Sequence, residues 1–517
     1  MSNSKKSLIK ATLILTVLTL IGKSIGFIRE IVLAYYFGLS DEYDIFLVAI
    51  TIAVILNSTI YYFAQNYFIP LYNKFEQNKS ANAKGNDFFN FSFYLFFLCG
   101  ILIFVFLLIF KQPILNILIA NKSKELFKLA ENIYVIYLFT VPLTAALSII
   151  AAFYQAKFNF VIYAVSQLVW NAIIVTSIVL FNSSFGILVI PYATVFATFV
   201  QFVLMIVPIT KKFNFNKKIF QIIKTETNII SSAFVFTVII ELISLSYSFI
   251  DRYYFEKLST GAISALNYAN NLINLPVNIF TMALATVLFS KFSFNSGNNL
   301  GNENEKIYYK SLKYNFMLTI PIAILFFYNG VTIINILFQR GQFSYKDTLL
   351  TSEVLKYYAI GIPFIAGYSI MNKLLYSLSM VKYLLLIVLV SFFIKVFSSY
   401  LLIDQYYHNS LAISSTLAFI FMFLSGYVGI QYFLKFSQKS FFINNLLYYF
   451  VQSIIAFFIT SFLMFEFKFF QYFNQLIFIC VFIIIVGLFN IILDSEINNY
   501  LKSLINTIKL KYNYDNN

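Results

Sequence analysis

Residues 22–44 read GKSIGFIREIVLAYYFGLSDEYD, and the fold turns on where that stretch lies. Most of it is apolar enough for lipid, yet Lys23, Arg29 and Glu30 fall close together within it, and Asp44 follows just past its end. Ionisable side chains at membrane depth are costly unless they face a wet cavity or a partner. Lys23 and Glu30 are seven residues apart and share one helix face, with Arg29 about 100° round from Glu30. Gly22 and Gly26 form a small-xxx-small pair that admits a second helix at this turn. Two readings stay open. One is a snorkelling lysine beside an interfacial Arg–Glu pair; the other is a polar cavity, bordered by cations, that receives an anionic ligand.

Working outward, the 517 residues are 60% hydrophobic and 20% aromatic but only 11% charged. A soluble chain is nearer half apolar and a quarter charged, so this is an all-α polytopic membrane protein. Lys+Arg (36) exceed Asp+Glu (21), which in a soluble protein would suggest nucleic acid. Here the cations gather in loops on one side, so the excess is read as membrane orientation and no nucleic-acid partner is expected. Cys99 and Cys480 both lie in apolar segments and imply no disulfide. The N-terminal Lys5, Lys6 and Lys10 precede an apolar stretch too long for a signal peptide, which is expected to be a retained first span.

A span needs about 20 mostly apolar residues. On that criterion there are about fourteen, at 9–36, 44–71, 88–110, 130–156, 159–182, 186–209, 228–252, 262–290, 310–338, 351–380, 383–404, 410–434, 444–465 and 470–493. An even count and the Lys/Arg bias predict that both termini are cytoplasmic. The connection 111–128 disagrees, since it should be external yet holds Lys111, Lys122, Lys124 and Lys128; it reads as an amphipathic segment in the outer interface. Long cytoplasmic loops after spans two and eight, and one-lysine turns (Lys157, Lys382) after spans four and ten, repeat at matching positions. The pattern predicts two six-helix lobes plus two C-terminal helices. The boundaries are 1–210 and 228–437 for the lobes, 211–227 for a basic cytoplasmic linker, 438–493 for the last two helices and 494–517 for a cytoplasmic tail. The lysines of the linker also suit anionic headgroups.

Glu241 and Lys395 each lie about thirteen residues into their spans, about 20 Å deep at 1.5 Å per residue. Equal depth predicts that they pair, since a buried charge wants a partner. Such a pair either locks two helices or forms a cation- or proton-coupling site with the ammonium in an ion position. Lys373 is placed to snorkel, and Asp251-Arg252 reads as an interfacial pair. The single histidine, His408, rules out a histidine metal cluster, and no metal or cofactor is expected. No Walker loop, GxSxG elbow or CxxC pair is present, so a hydrolytic or ATP-driven enzyme is not expected.

Four stretches carry a resemblance. The first holds Lys23, Gly26-Phe27, Arg29-Glu30, Phe37-Gly38 and Asp44; the second is GAISALNYANNLINLPVNIFTMALATVL from Gly261; the third is LFQRGQFSYKDTLLT from Leu337; the fourth, from His408 to Thr416, opens span twelve. They resemble the MurJ/MviN family, the lipid II flippases of the multidrug/oligosaccharidyl-lipid/polysaccharide exporter superfamily. The resemblance implies two six-helix lobes around a cationic cavity, with the last two helices lining a groove for a lipid tail. It implies that Lys23, Arg29, Glu30 and Asp44 belong to the substrate site, with Lys23 and Arg29 drawing a pyrophosphate by charge-assisted hydrogen bonds. It also implies driving by membrane potential or a cation gradient, with a sodium ion in some members between spans seven, eleven and twelve, near Glu241 and Lys395.

The chain departs from that pattern where cavity arginines are expected. Asn57-Ser58 stands in span two and Asn271 in the second motif, while Ser379-Met380-Val381-Lys382 replaces an Asp-Thr-x-Thr-Pro turn. Asn57 and Asn271 are therefore also taken as substrate-site positions, and Lys373 or Lys395 as a replacement cation. Losing two cations predicts weaker pyrophosphate capture, by a few kcal/mol. The expected function is a monomeric, multi-pass flippase of the bacterial inner membrane. It moves an undecaprenyl-pyrophosphate-linked saccharide outward by alternating access, surrounded by membrane lipids and coupled to Na+, H+ or potential. Lipid II is the leading cargo; an O-antigen or surface-polysaccharide repeat unit, or an amphiphile or drug exported with a cation, are the alternatives.

Overall fold

The computed structural model describes residues 22, 24–77, 85–213, 232–278, 292, 301–436, 440–466, 474–494 and 498, and among these there is no strand. The helices are α1 (24–37), α2 (Asp41–Gln77), α3 (Gly85–Ile109), α4 (Lys111–Ile119), α5 (Lys124–Leu138), α6 (Thr140–Ala156), α7 (Phe160–Phe185) and α8 (Val189–Ile206). They continue as α9 (Ser232–Tyr253), α10 (Ala262–Pro276), α11 (Gly301–Phe338), α12 (Tyr345–Ser377), α13 (Val381–Tyr406), α14 (His408–Leu434), α15 (Phe441–Glu466) and α16 (Asn474–Leu493).

Among the described residues, eleven helical stretches are long and apolar enough to cross a membrane. One of them, Phe160–Lys212, folds back at Gly186 and holds two of the expected spans. Its two arms are antiparallel, as the Trp170–Thr198 and Ser166–Gln201 bonds require. Expected spans one, seven, eight and fourteen fall partly outside the described residues, as do most of the linker 211–227 and the tail 494–517. Span four is a broken rod rather than one helix. Its first part, α5, ends at Leu138, and α6 restarts with Pro142 in its first turn, where a missing N–H costs nothing. The amphipathic connection at 111–128 contains α4, which buries Leu115, Leu118 and Ile119, while Lys111 reaches Glu131 at 2.6 Å.

The chain divides into two compact units. Unit 1 comprises Met1–Asn270, Ile334–Val354 and Ser379–Ala418; unit 2 comprises Asn271–Ile333, Leu355–Leu378 and Phe419–Asn517. Within unit 1, α2, α3 and α6 share a core of aromatic rings, including Phe68, Phe88, Phe89 and Phe153, packed on the small side chains of α6. A Cβ at Gly100 would stand 2.6 Å from Ala145 Cβ, so α3 lies on α6 as closely as a side-chain-free position allows. At one end of the unit, Lys157 in the α6–α7 turn bonds Glu76 of α2 at 2.8 Å, which holds the lysine above its ordinary titration range.

At the other end, Gln342 N–H donates to the Tyr35 carbonyl at 2.8 Å, joining the α11–α12 turn to α1. Gly341 makes this possible, because its φ is +60° and a Cβ there would collide with the same carbonyl. Within unit 2, Asn315 of α11 donates to the Pro363 carbonyl of α12 at 3.2 Å. Lys313 of α11 bonds Asp494 at 2.8 Å, and Gln452 of α15 bonds Asn490 of α16 at 2.8 Å. These polar links hold the last two helices on α11, where apolar contact alone gives little preference over lipid.

Gly341 and Gly186 separate two effects of left-handed backbone. Gly186 has φ +53° with nothing near its missing Cβ. Gly186→Ala is expected to cost about 1 kcal/mol of backbone strain, and Gly341→Ala at least about 2 kcal/mol more through the clash with Tyr35. Thermal melts of the purified variants in detergent test this, and equal losses would refute the interlock at Tyr35.

Candidate functional site

The site begins on α1. Arg29 Nη2 and Nε lie 2.7 and 3.3 Å from Oε1 of Glu30, whose side chain is buried. The adjacent Arg–Glu pair is thus present, yet it does not consume the guanidinium. Arg29 keeps 26% of its side chain exposed and stacks on Trp170 of α7, its Cζ 5.4 Å from the ring centroid. Two of its three nitrogens face Glu30, and the rest of its five donors remain for a ligand. Beside it on α1, Gly26 faces α7, where an added Cβ would meet Asn171 Oδ1 at 3.9 Å. Lys23 lies outside the described residues.

Asp44 is not a cavity residue. It is fully buried, and both carboxylate oxygens are occupied. Oδ2 accepts from Gly261 N–H at 2.7 Å, and Oδ1 accepts from Ser264 N–H at 2.7 Å and from the Ser264 hydroxyl. Gly261 and Ser264 start α10, so Asp44 caps a helix remote in sequence, satisfying donors that helix geometry leaves orphaned and complementing the dipole. A carboxylate with three donors and no exposed surface has nothing left for a ligand.

Asn57 of α2 lines an open polar cavity of about 340 Å³ among α2, α5, α6, α7 and α8, with Trp170 in its wall. Its Nδ2 donates to Thr140 Oγ1 at 2.8 Å. Asn271 is half-buried on α10, and Lys373 is exposed on α12.

Lys395 pairs with Asp251, not with Glu241. Its ammonium is fully buried on α13 and donates to Asp251 Oδ1 at 2.5 Å, the Leu411 carbonyl at 2.7 Å and Ser415 Oγ at 2.8 Å. One helical turn away, Tyr247 OH donates to Ser391 Oγ at 2.8 Å. Both bonds span 144 residues, so α9 and α13 run parallel in that register and Glu241 is level with Leu385. Along α9, Glu241 is about 15 Å from Asp251. The depth count erred because it measured from assumed span starts, whereas register is decided by the side chains that meet. With three acceptors on three N–H groups, Lys395 has no capacity to replace a missing cavity arginine. Asp251, buried among these partners, is accordingly no interfacial residue.

A family model described as lipid II flippase MurJ matches residues 33–485. This chain belongs to the MurJ family. Proteins named probable lipid II flippase MurJ are similar to it: that of Aquifex aeolicus is 25% identical over 376 residues, 72% of each chain. That of Borreliella burgdorferi is 26% identical over 424 residues, 79% of this chain and 81% of its own. A solved lipid II flippase MurJ in an inward closed conformation superposes with TM-score 0.77 at 21% identity, over 94% of this chain and 99% of that one. An inward-facing multidrug resistance MATE transporter of the MOP superfamily follows with TM-score 0.63 at 12% identity, over 80% and 94%. At these identities the superpositions speak to fold.

The MurJ resemblance implies a sodium ion between spans seven, eleven and twelve, which are α9, α13 and α14. The donor set there does not fit one. The carboxylate, carbonyl and hydroxyl that would ligate a cation all accept from Lys395 already. A second cation beside that ammonium would meet a like charge in a medium of low dielectric.

Two residues of this MurJ-family site, Ser264 and Trp170, escaped the sequence reading, and a third, Asp251, was read as interfacial. Asp251 was legible only through the matched i,i+4 pairs Tyr247/Asp251 and Ser391/Lys395; Ser264 through its place at the start of an apolar helix; Trp170 had no local signal. Breaking the buried pair by Lys395→Met or Asp251→Asn is expected to cost about 3–5 kcal/mol, and the double change Lys395→Met with Asp251→Leu to recover most of it. Melting curves of the three purified variants measure this. A single variant that melts with the wild type would show that the pair does not hold α9, α13 and α14 together.

Proposed function

We propose that this protein carries lipid II across the bacterial cytoplasmic membrane, headgroup outward, by alternating access. The observation that carries the reading is the partly exposed Arg29 side chain, stacked on Trp170 of a polar cavity's wall, in a chain of the MurJ family. A guanidinium presents planar paired donors that suit phosphate oxygens. With Asn57 and Asn271 standing where the resemblance expects arginines, pyrophosphate capture rests on Arg29 together with Lys23, while the amides supply neutral donors. The polyprenyl chain has a counterpart too. Within unit 2 an apolar cavity of about 380 Å³ runs among α11, α12 and α15, lined by Ile320, Ile324, Phe327, Phe364 and Phe450.

The positive-inside bias supports cytoplasmic termini. On that orientation the Asp44 cap and the Gly341 turn lie on the outer side, and their hydrogen bonds are what outward opening has to break. Because Lys395 supplies a tethered cation where a sodium ion would sit, we assign the driving force to membrane potential acting on the charged cargo. The working unit is taken to be a monomer and the division of labour to follow the lobes 1–210 and 228–437.

The test is complementation of cells depleted of their own lipid II flippase. Wild type is expected to rescue them equally in sodium-rich and sodium-poor media. Arg29→Ala, expressed to the same level, is expected to fail, since losing a charge-assisted contact of about 1.5–3 kcal/mol lowers affinity roughly 10- to 100-fold. Failure of well-expressed wild type would turn the assignment to a surface-polysaccharide repeat unit.

A further inference from the structure

The cavity beside Arg29 has a chemistry that pyrophosphate recognition does not explain. Its wall includes Asn57, Gln167, Thr194, Thr198 and Gln201, and none of its lining side chains is formally charged. The apolar cavity in unit 2 is of similar size but lined by Ile, Phe and Ala. Polar side chains in membrane helices usually serve as glue between helices. Here Asn57 bonds Thr140, Gln201 bonds Ser166 and Trp170 bonds Thr198 between helices, yet the same side chains also line the cavity. Thr194 and Thr198 donate to the carbonyls of Ile190 and Thr194 on their own helix, at 2.8 and 2.7 Å, so their protons are spent within α8. Asn57 Oδ1 is buried and accepts no hydrogen bond among the described residues. The amides and hydroxyls that line the cavity suit a ligand that brings hydroxyl or amide groups of its own.

We propose that this cavity seats a saccharide ring of the lipid-linked glycan, a neutral compartment adjoining the cationic one. Three features exclude other ligand classes. Without a cation it does not select phosphate; without a carboxylate it does not select a cationic drug; with its amides and hydroxyls it does not select an acyl chain. About 340 Å³ is at the small end of ligand pockets, enough for a sugar ring and too little for a whole glycopeptide headgroup. Trp170 joins the two compartments. Its ring carries Arg29, and its Nε1 donates to Thr198 Oγ1 at 3.1 Å in the cavity wall. An indole beside convergent hydroxyls and amides offers an apolar face and a polar edge, the combination a sugar ring presents in return.

This inference rests on the flippase reading, and one experiment separates the two. Trp170 is the only tryptophan in the chain, so its emission reports on the cavity without labelling. Full-length protein in nanodiscs is titrated with lipid II and, separately, with undecaprenyl pyrophosphate, binding being followed independently by native mass spectrometry. Lipid II is expected to shift Trp170 emission saturably, and undecaprenyl pyrophosphate to bind without that shift. Gln167→Leu and the near-isosteric Thr194→Val are expected to weaken lipid II binding about tenfold and leave undecaprenyl pyrophosphate unchanged. Equal emission changes from both lipids, or lipid II affinity unmoved by either variant, overturn the saccharide seat and leave the flippase reading standing. Absence of any lipid II binding overturns both.

Discussion

The carboxylate of Asp44 is the constraint on which the rest of unit 1 depends. It comes from the start of α2 and satisfies the first turn of α10, a helix more than two hundred residues later. A buried helix start without such an acceptor would leave N–H donors in a medium with no water to receive them. One buried carboxyl group thus sets where α10 begins, and Gly341 then lets the α11–α12 turn close against Tyr35 on the same end of the unit. The carboxylate can do this only because it is completely enclosed, which is also why it has no part in holding cargo.

Lys395 follows the same logic with the sign reversed. An ammonium deep in a helix bundle is tolerated because carboxylate, carbonyl and hydroxyl converge on it from α9 and α14. The arrangement fixes the register of three helices and also removes the oxygens a mobile cation would need. In a transporter this is a functional choice. A tethered ammonium stands where the resemblance would put a mobile metal cation.

Arg29 differs from both, since it alone of the described site charges is paired and still accessible. Its environment changes within a few ångströms from an ion pair with Glu30 to an indole face and then to an uncharged cavity. That gradient matches a cargo in which a pyrophosphate stands between an apolar chain and an uncharged saccharide.

How much of this was legible beforehand depends on the range of the interaction. Hydropathy is local, so the helical spans and the membrane class followed from the residues themselves. The family was legible in short motifs, several of whose described residues, such as Gly38, Gly261 and Gly341, sit at turns where few alternatives fit. Pairing was not. Asp44 looked like a ligand group and is a cap; Lys395 was matched to Glu241 by depth, although a register of 144 residues brings it to Asp251. The sequence by itself determined which residues carry charge into the membrane and that each must be compensated. Which partner compensates each one, and hence which charge is left for the cargo, was decided only by tertiary packing, because a helix face meets its neighbour at a register that no local pattern encodes.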